Sequence, residues 1–240
     1  QIGDWLAELD DAGLRENTIV IYYSDHGGIL PRAKRYIYDT GTHVPMIVQY
    51  PEKLAKSAPG LPGSTSDRPV SFVDLAPTTL SLAGVDIPQG MQGRAFLGEQ
   101  TQEAAPYVFL FGQRFDARML RFVRAVTDGQ YRYIRNFNPH RHRGILAGYP
   151  HSQSGWRSFY ALQQAGKTDA TQSSFWKVPQ PVEELYDTQD DPWEVTNLAG
   201  DPAHAKRLEA MRAATFETMK KIRDTGLVPE AMYNRISEKG

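Results

Sequence analysis

Asp25 and His26 are the adjacent pair in this sequence best suited to chemistry. A carboxylate and an imidazole followed by Gly27 and Gly28, which let a ligand approach the backbone, can hold a divalent cation or act as base and orienter. The same stretch continues to Lys34, a cation able to hold an anionic group, and to His43. A plain turn is the competing reading of Ser24-Asp25-His26-Gly27-Gly28, and a solvated loop lysine is the competing reading of Lys34. A hard cation such as calcium takes about 6 to 8 oxygen ligands. No second acidic cluster stands at a strand end, so a metal held here draws most of its ligands from elsewhere.

The pair needs a strand to fix it. Residues 18–23, rich in β-branched and aromatic types, have the length and content of a buried strand whose carboxyl end delivers Asp25-His26. That is where open α/β sheets bind ligands. A helix over 4–12, with Trp5, Leu6 and Leu9 on one face and Gly13 as its stop, leads into this strand as half of a βαβ-type unit. A second strand spans 44–50 and ends at Pro51. Residues 55–69 read as an exposed loop, and 71–82 as helical, with Pro77 as the first residue of a new helix and Gly84 as its stop.

Near residue 100 the pattern changes, and a subdomain boundary is expected there. Strands follow at 107–111, 122–127 and 130–137, the last two joined by a hairpin over Asp128-Gly129 with type I′ geometry expected. Tyr131, Tyr133 and Phe137 read as sheet-face packing. Residues 138–180 are long, polar and aperiodic, which predicts an insertion rather than core. Their basic run, His140-Arg141-His142-Arg143, is either a solvated loop or a contact for an acidic substrate. A short strand at Glu184-Leu185-Tyr186-Asp187 precedes a helix capped by Asp201 and opened by Pro202. In that helix Leu208, Met211, Thr215, Met219 and Ile222 form a buried stripe, with Lys206, Arg207, Arg212 and Lys220 facing water.

Composition narrows the function classes. With 27 basic and 28 acidic residues in 240, net charge −1, no global field recruits nucleic acid or an anionic membrane. No apolar run approaches the roughly 20 residues a membrane-spanning helix needs, and nothing at the start reads as a signal peptide. The absence of cysteine excludes disulfides, thiolate metal sites and a Cys nucleophile. The chain opens at Gln1 without Met and enters a helix at once, as if it began inside a domain.

Three stretches in order resemble the sulfatase family of the alkaline phosphatase superfamily. Thr18 to Gly27, then Lys34, then Gly41-Thr42-His43-Val44-Pro45-Met46-Ile47-Val48 is similar to its central motif. Val73-Asp74-Leu75-Ala76-Pro77-Thr78-Thr79-Leu80 with Ala83-Gly84-Val85 is similar to the helix after the site. Glu184-Leu185-Tyr186-Asp187, Asp191-Pro192-Trp193-Glu194 and Asn197-Leu198 resemble the C-terminal signature. The resemblance implies an α/β fold. Residues 1–100 would complete the mixed sheet of an alkaline-phosphatase-like catalytic domain, and 101–240 would form a small antiparallel subdomain with a long C-terminal helix.

It further implies hydrolysis of a sulfate ester, or of an N-sulfate, in a saccharide. Asp25 and His26 would be ligands of a divalent metal, with calcium expected, although many relatives carry Asn where His26 stands. Lys34 would contact the sulfate, and His43 and His142 are secondary substrate-binding candidates. The family's nucleophile is a formylglycine made in a Cys/Ser-x-Pro-x-Arg motif. Here Ser57-Ala58-Pro59 is followed by Gly60-Leu61 and no Arg, so the formylglycine-bearing half is expected to be a missing N-terminal partner of this sequence. Relatives are commonly periplasmic, secreted or lysosomal. A phosphodiesterase or phosphonate monoester hydrolase of the same superfamily, and a non-catalytic carbohydrate-binding or interaction module, are the alternatives.

Overall fold

The computed structural model describes residues 1–112, 122–144 and 148–228, with Lys56 and Ser57 described by backbone alone. Its elements in chain order are α1 (Ile2–Asp11), β1 (Val20–Tyr23), α2 (Asp39–Thr42), β2 (Met46–Gln49), α3 (Leu75–Leu82), β3 (Val108–Gly112), β4 (Val123–Thr127), β5 (Tyr131–Asn136), α4 (Tyr149–Ser152), α5 (Ser154–Gln164), α6 (Ala170–Ser174), β6 (Glu183–Asp187) and α7 (Ala205–Lys221). They fall into two compact units, one of Gln1–Asp25 with Val44–Val108 and one of His26–His43 with Phe109–Gly240. The stretch 26–43 therefore belongs with the later part of the chain.

In the first unit β1 and β2 pair antiparallel, Val20 opposite Gln49 and Tyr23 opposite Met46. The βαβ expectation for β1 is corrected by this pairing. The segment between the two strands holds the one-turn α2 rather than a crossover helix, and without such a crossover parallel neighbours cannot form. Gly13, at φ 65°, stops α1 in the left-handed conformation that glycine adopts without penalty. Before α3, Ser71 N–H donates to Asp74 Oδ2 at 2.9 Å in a capping box. The helix opens at Leu75, two residues ahead of the expected Pro77. Pro77 fits there because the first four N–H groups of a helix have no intrahelical acceptor to lose. Buried Thr78 and Ser81 then accept the N–H groups of Phe96 and Gln100 at 3.1 and 2.9 Å, fixing the irregular segment that follows.

The second unit is built on a sheet of order β3-β4-β5-β6. Register places Ala125, Ile134 and Glu184 side by side, so Val123, Ala125, Arg132, Ile134, Asn136, Glu184 and Tyr186 share one face. That face packs on Tyr36, Ile37 and Tyr38 from the 26–43 stretch and on Trp156 and Phe175. The opposite face carries Leu185 and Tyr133 and is served by α7, whose Leu208, Met211, Thr215 and Met219 are buried at the expected spacing. Ile222 lies just past the helix and is only half-buried. Arg207 and Arg212 do not simply face water. Arg212 forks onto Glu183 at 2.6 and 2.8 Å, and Arg207 stacks 3.6 Å from the Tyr131 ring centre.

Two further expectations are corrected here. Asp128 N–H donates to Tyr131 O at 3.2 Å, which makes Gly129 and Gln130 the central turn residues. Only Gly129, at φ 100°, is left-handed, the signature of a II′ turn rather than I′. The described parts of 138–180, residues 138–144 and 148–180, are not peripheral to the core. Trp156 and Phe175 are 1% and 3% exposed within it, because a few well-placed aromatics bury a large area even in a polar, aperiodic stretch.

Candidate active-site loop and its buried ion pairs

The loop from His26 to His43 is wound tightly by its own backbone. Arg32 and Arg35 stand at φ 69° and 76°, a left-handed conformation uncommon for residues with a side chain. A Cβ on Gly27 would lie 1.9 Å from Thr40 O, and one on Gly41 2.4 Å from Ala33 O, so both positions require glycine. Lys34 N–H donates to Gly28 O at 3.0 Å and Tyr36 N–H to Ala33 O at 2.9 Å. Ala33, Tyr36, Ile37 and Tyr38 are buried while Lys34 stays half-exposed.

Two buried ionic clusters then fix the loop to the sheet. In the first, Arg132 of β5, 2% exposed, donates from Nη1 to Ile37 O at 2.6 Å and Thr42 Oγ1 at 2.8 Å, and from Nη2 to Asp39 Oδ1 at 2.7 Å. Its Nε lies 3.1 Å from Glu194 Oε1, an ion pair rather than an aligned hydrogen bond. Glu194, 1% exposed and at φ 52°, accepts Asp39 N–H at 2.8 Å through Oε2. Burial pushes its carboxyl up to about 7 despite the pull of Arg132. Arg32 lies over the Tyr38 ring at 3.9 Å and donates to the carbonyls of Trp193 and Glu194, both at 2.9 Å.

The second cluster centres on Glu184, wholly buried in β6. Arg143 Nη2 lies 2.6 Å from it, and it accepts from Asn136 Nδ2 at 2.6 Å, Tyr186 OH at 2.5 Å and Tyr38 OH at 3.2 Å. Burial pushes this carboxyl up, yet Arg143 and the surrounding donors hold it below the usual range. Arg143 O in turn accepts Tyr36 OH at 2.6 Å. Arg143 is therefore neither solvated nor available to a ligand, which corrects both readings of it.

The sequence-derived candidates are distributed as follows. Asp25 is an exposed residue closing the first unit, and His26 opens the second. His26 Nδ1 lies 2.6 Å from Gly27 O and can donate to that carbonyl. Lys34 Nζ sits 6.0 Å from the Tyr149 ring centre, which Arg35 also approaches at 5.7 Å. His43, largely exposed, is tied to Asp39 by Nδ1 at 3.1 Å. His142 packs on Trp176 at 5.4 Å, and burial lowers its imidazole from the usual value. No hydrogen bond or ion pair joins Lys34, His43 and His142 to one another among the described residues. Sequence reasoning missed Arg32, Asp39, Arg132 and the roles of Glu184 and Glu194. The available signal was Arg132, a full charge inside a central strand, which needs a buried partner.

By residue type, Asp25 and His26 offer one carboxylate and one imidazole to a divalent-metal shell. Among the described residues no group of three or more His, Asp or Glu gathers to complete it. No helix among them is long and apolar enough to cross a membrane.

Comparison with known proteins gives this loop its context. Residues 1–85 match the Sulfatase family model. An ulvan-active sulfatase of Formosa agariphila is 38% identical over 96% of this chain and 38% of its own length. Human N-sulphoglucosamine sulphohydrolase is 30% identical over 88% of this chain and 43% of its own length. The chain thus spans about two fifths of these relatives. A solved structure in complex with its substrate D-glucosamine-2-N,6-O-disulfate superposes with a TM-score of 0.66 at 23% identity, over 95% of this chain and 40% of that one. A 2-O glycosaminoglycan sulfatase gives 0.62 at 24% identity, over 92% and 40%. These likenesses establish the α/β fold.

Proposed function

Since the chain belongs to the sulfatase family, we propose that it is part of a hydrolase that removes sulfate from a saccharide, as an O-ester or an N-sulfate. The observation that carries this reading is the 38% identity to an ulvan-active sulfatase across 96% of the chain. Asp25 and His26 would hold a divalent ion, calcium by family resemblance. When bound, that ion polarises the sulfuryl oxygens and withdraws charge from them. Lys34 places an ammonium against the remaining oxygens and stabilises the negative charge that develops as the ester bond breaks. His43 and His142 are proposed at the rim of the saccharide site, His142 as a neutral imidazole. The attacking group, a formylglycine by family resemblance, stands on residues outside this sequence, which has neither Cys nor a Ser-x-Pro-x-Arg run.

The test is made on the full-length enzyme. Lys34→Ala should cost about 10²- to 10³-fold in kcat for sulfate release from a sulfated disaccharide, the scale of losing one oxyanion donor. Asp25→Ala should lower bound metal measured by mass spectrometry of the purified protein. Unchanged rate and metal content in both variants would overturn the reading. Turnover of a phosphonate monoester but not of the sulfate ester would replace it with the phosphonate hydrolase alternative.

A further inference from the structure

We propose that Glu194 is a positioning residue for Lys34: from a single buried point it holds the chain on both sides of the lysine and so fixes where the ammonium lies. This rests on the reading of Lys34 as a contact for the sulfate.

Glu194 acts through two different parts of itself. On the far side of Lys34, its carboxylate accepts Asp39 N–H at 2.8 Å and pairs with Arg132 at 3.1 Å. Arg132 repeats the grip on the same segment through Ile37 O, Thr42 Oγ1 and Asp39 Oδ1, at 2.6 to 2.8 Å. On the near side, the backbone carbonyl of Glu194, with that of Trp193, accepts the Arg32 guanidinium at 2.9 Å. Lys34 thus sits between two anchors, Arg32 and Asp39, that converge on Glu194, 162 and 155 positions further along the chain.

Three features show that this is more than packing. Glu194 keeps a left-handed backbone, φ 52°, that a side-chain-bearing residue adopts at a cost. Its carboxylate is 1% exposed, so its partners are fixed rather than averaged with solvent. The segment it holds is folded closely on itself, since a Cβ on Gly27 would lie 1.9 Å from Thr40 O and one on Gly41 2.4 Å from Ala33 O. A small displacement at either anchor must pass to the residues between them. Catalytic groups lose rate steeply when displaced by about 1 Å.

The test is a double-mutant cycle on the full-length enzyme. Glu194→Gln preserves size and the acceptor for Asp39 N–H but removes the charge facing Arg132. It should lower kcat about tenfold or more for the sulfated disaccharide, with KM within twofold and the rate normalised to folded protein. The informative arm is the same substitution in Lys34→Ala. A residue that acts through the lysine has nothing further to remove there, so Glu194→Gln should change kcat of that background by less than twofold. Arg32→Met, which releases the near anchor and leaves Arg132 and the Asp39 N–H on the carboxylate, should show the same pattern and serves if Glu194→Gln fails to fold. An equal loss in both backgrounds, or full kcat in Glu194→Gln and Arg32→Met alike, overturns the proposal. A Lys34→Ala enzyme with normal kcat overturns the role of the lysine itself, a separate result.

Discussion

Replacing Arg143 with Met tests whether the basic run after β5 is built into the core. Methionine keeps most of the stem's volume and removes only the guanidinium, which is 6% exposed and 2.6 Å from Glu184. The carboxylate left behind is wholly buried and retains Tyr186 OH at 2.5 Å, Asn136 Nδ2 at 2.6 Å and Tyr38 OH at 3.2 Å. Removing one partner of such a pair costs about 3 to 5 kcal/mol, because a charge stays buried without its counter-ion. The pH dependence has a definite sign. In the wild type Glu184 is held below its usual pKa, so its stabilisation is present above the unfolded value and is lost as pH falls. In Arg143→Met burial prevails, the folded carboxyl binds its proton more tightly than the unfolded one, and stability falls as pH rises. The cost of the substitution should therefore be small near pH 4 and full at pH 8. At roughly 2 to 4 °C per kcal/mol for a body of 150–250 residues, the melting temperature should drop by about 6 to 20 °C at pH 8. Thermal unfolding at both pH values reads this directly, and Arg143→Met/Glu184→Gln should recover much of the loss. A cost below about 1 kcal/mol at pH 8, equal costs at the two pH values, or no recovery in the double variant would refute the reasoning.

Glu194, pushed up to about 7 by burial while facing Arg132, Arg32 and Asp39, gives the opposite slope in the wild type. Its share of stability should fall by roughly 3 kcal/mol between pH 4.5 and 7, and in Glu194→Gln urea titrations should lose that component of the slope. Arg124 and Asp224, 2% and 8% exposed and paired at 2.5 and 2.7 Å, tie the segment after α7 to β4. Asp224→Ala should cost about 3 to 5 kcal/mol near neutral pH and less at acid pH, because Arg124 holds the Asp224 carboxyl below its usual range. A loss of under 1 kcal/mol in the same titration contradicts this. Gly41→Ala puts a methyl 2.4 Å from Ala33 O and 2.6 Å from Tyr36 O, both backbone atoms that cannot swing aside. It should reduce kcat more than tenfold, whereas Gly3→Ala, with nothing within 4 Å, should be silent.

Much of this protein is written locally. The β-branched run before Asp25, the hairpin at Gly129, the three- and four-residue spacing of Leu208 to Met219 and the ordered family motifs each declare themselves within a few residues, and the elements stand close to those positions. The α/β class and the family were legible for the same reason. What surrounds the Lys34 loop was not. Nothing near Asp39 announces that its N–H is taken by Glu194, 155 residues on, or that Arg132 reaches back 95 residues to Ile37 O. Arg143 looked solvated because its neighbours in sequence are polar, yet Glu184 and the aromatics around Tyr38 close over it. Periodicity and propensity register the turn or two in which a residue sits, and they settle which element forms. Whether a charge on that element is exposed or buried depends on what packs across it from distant parts of the chain, and the tertiary structure alone decided that.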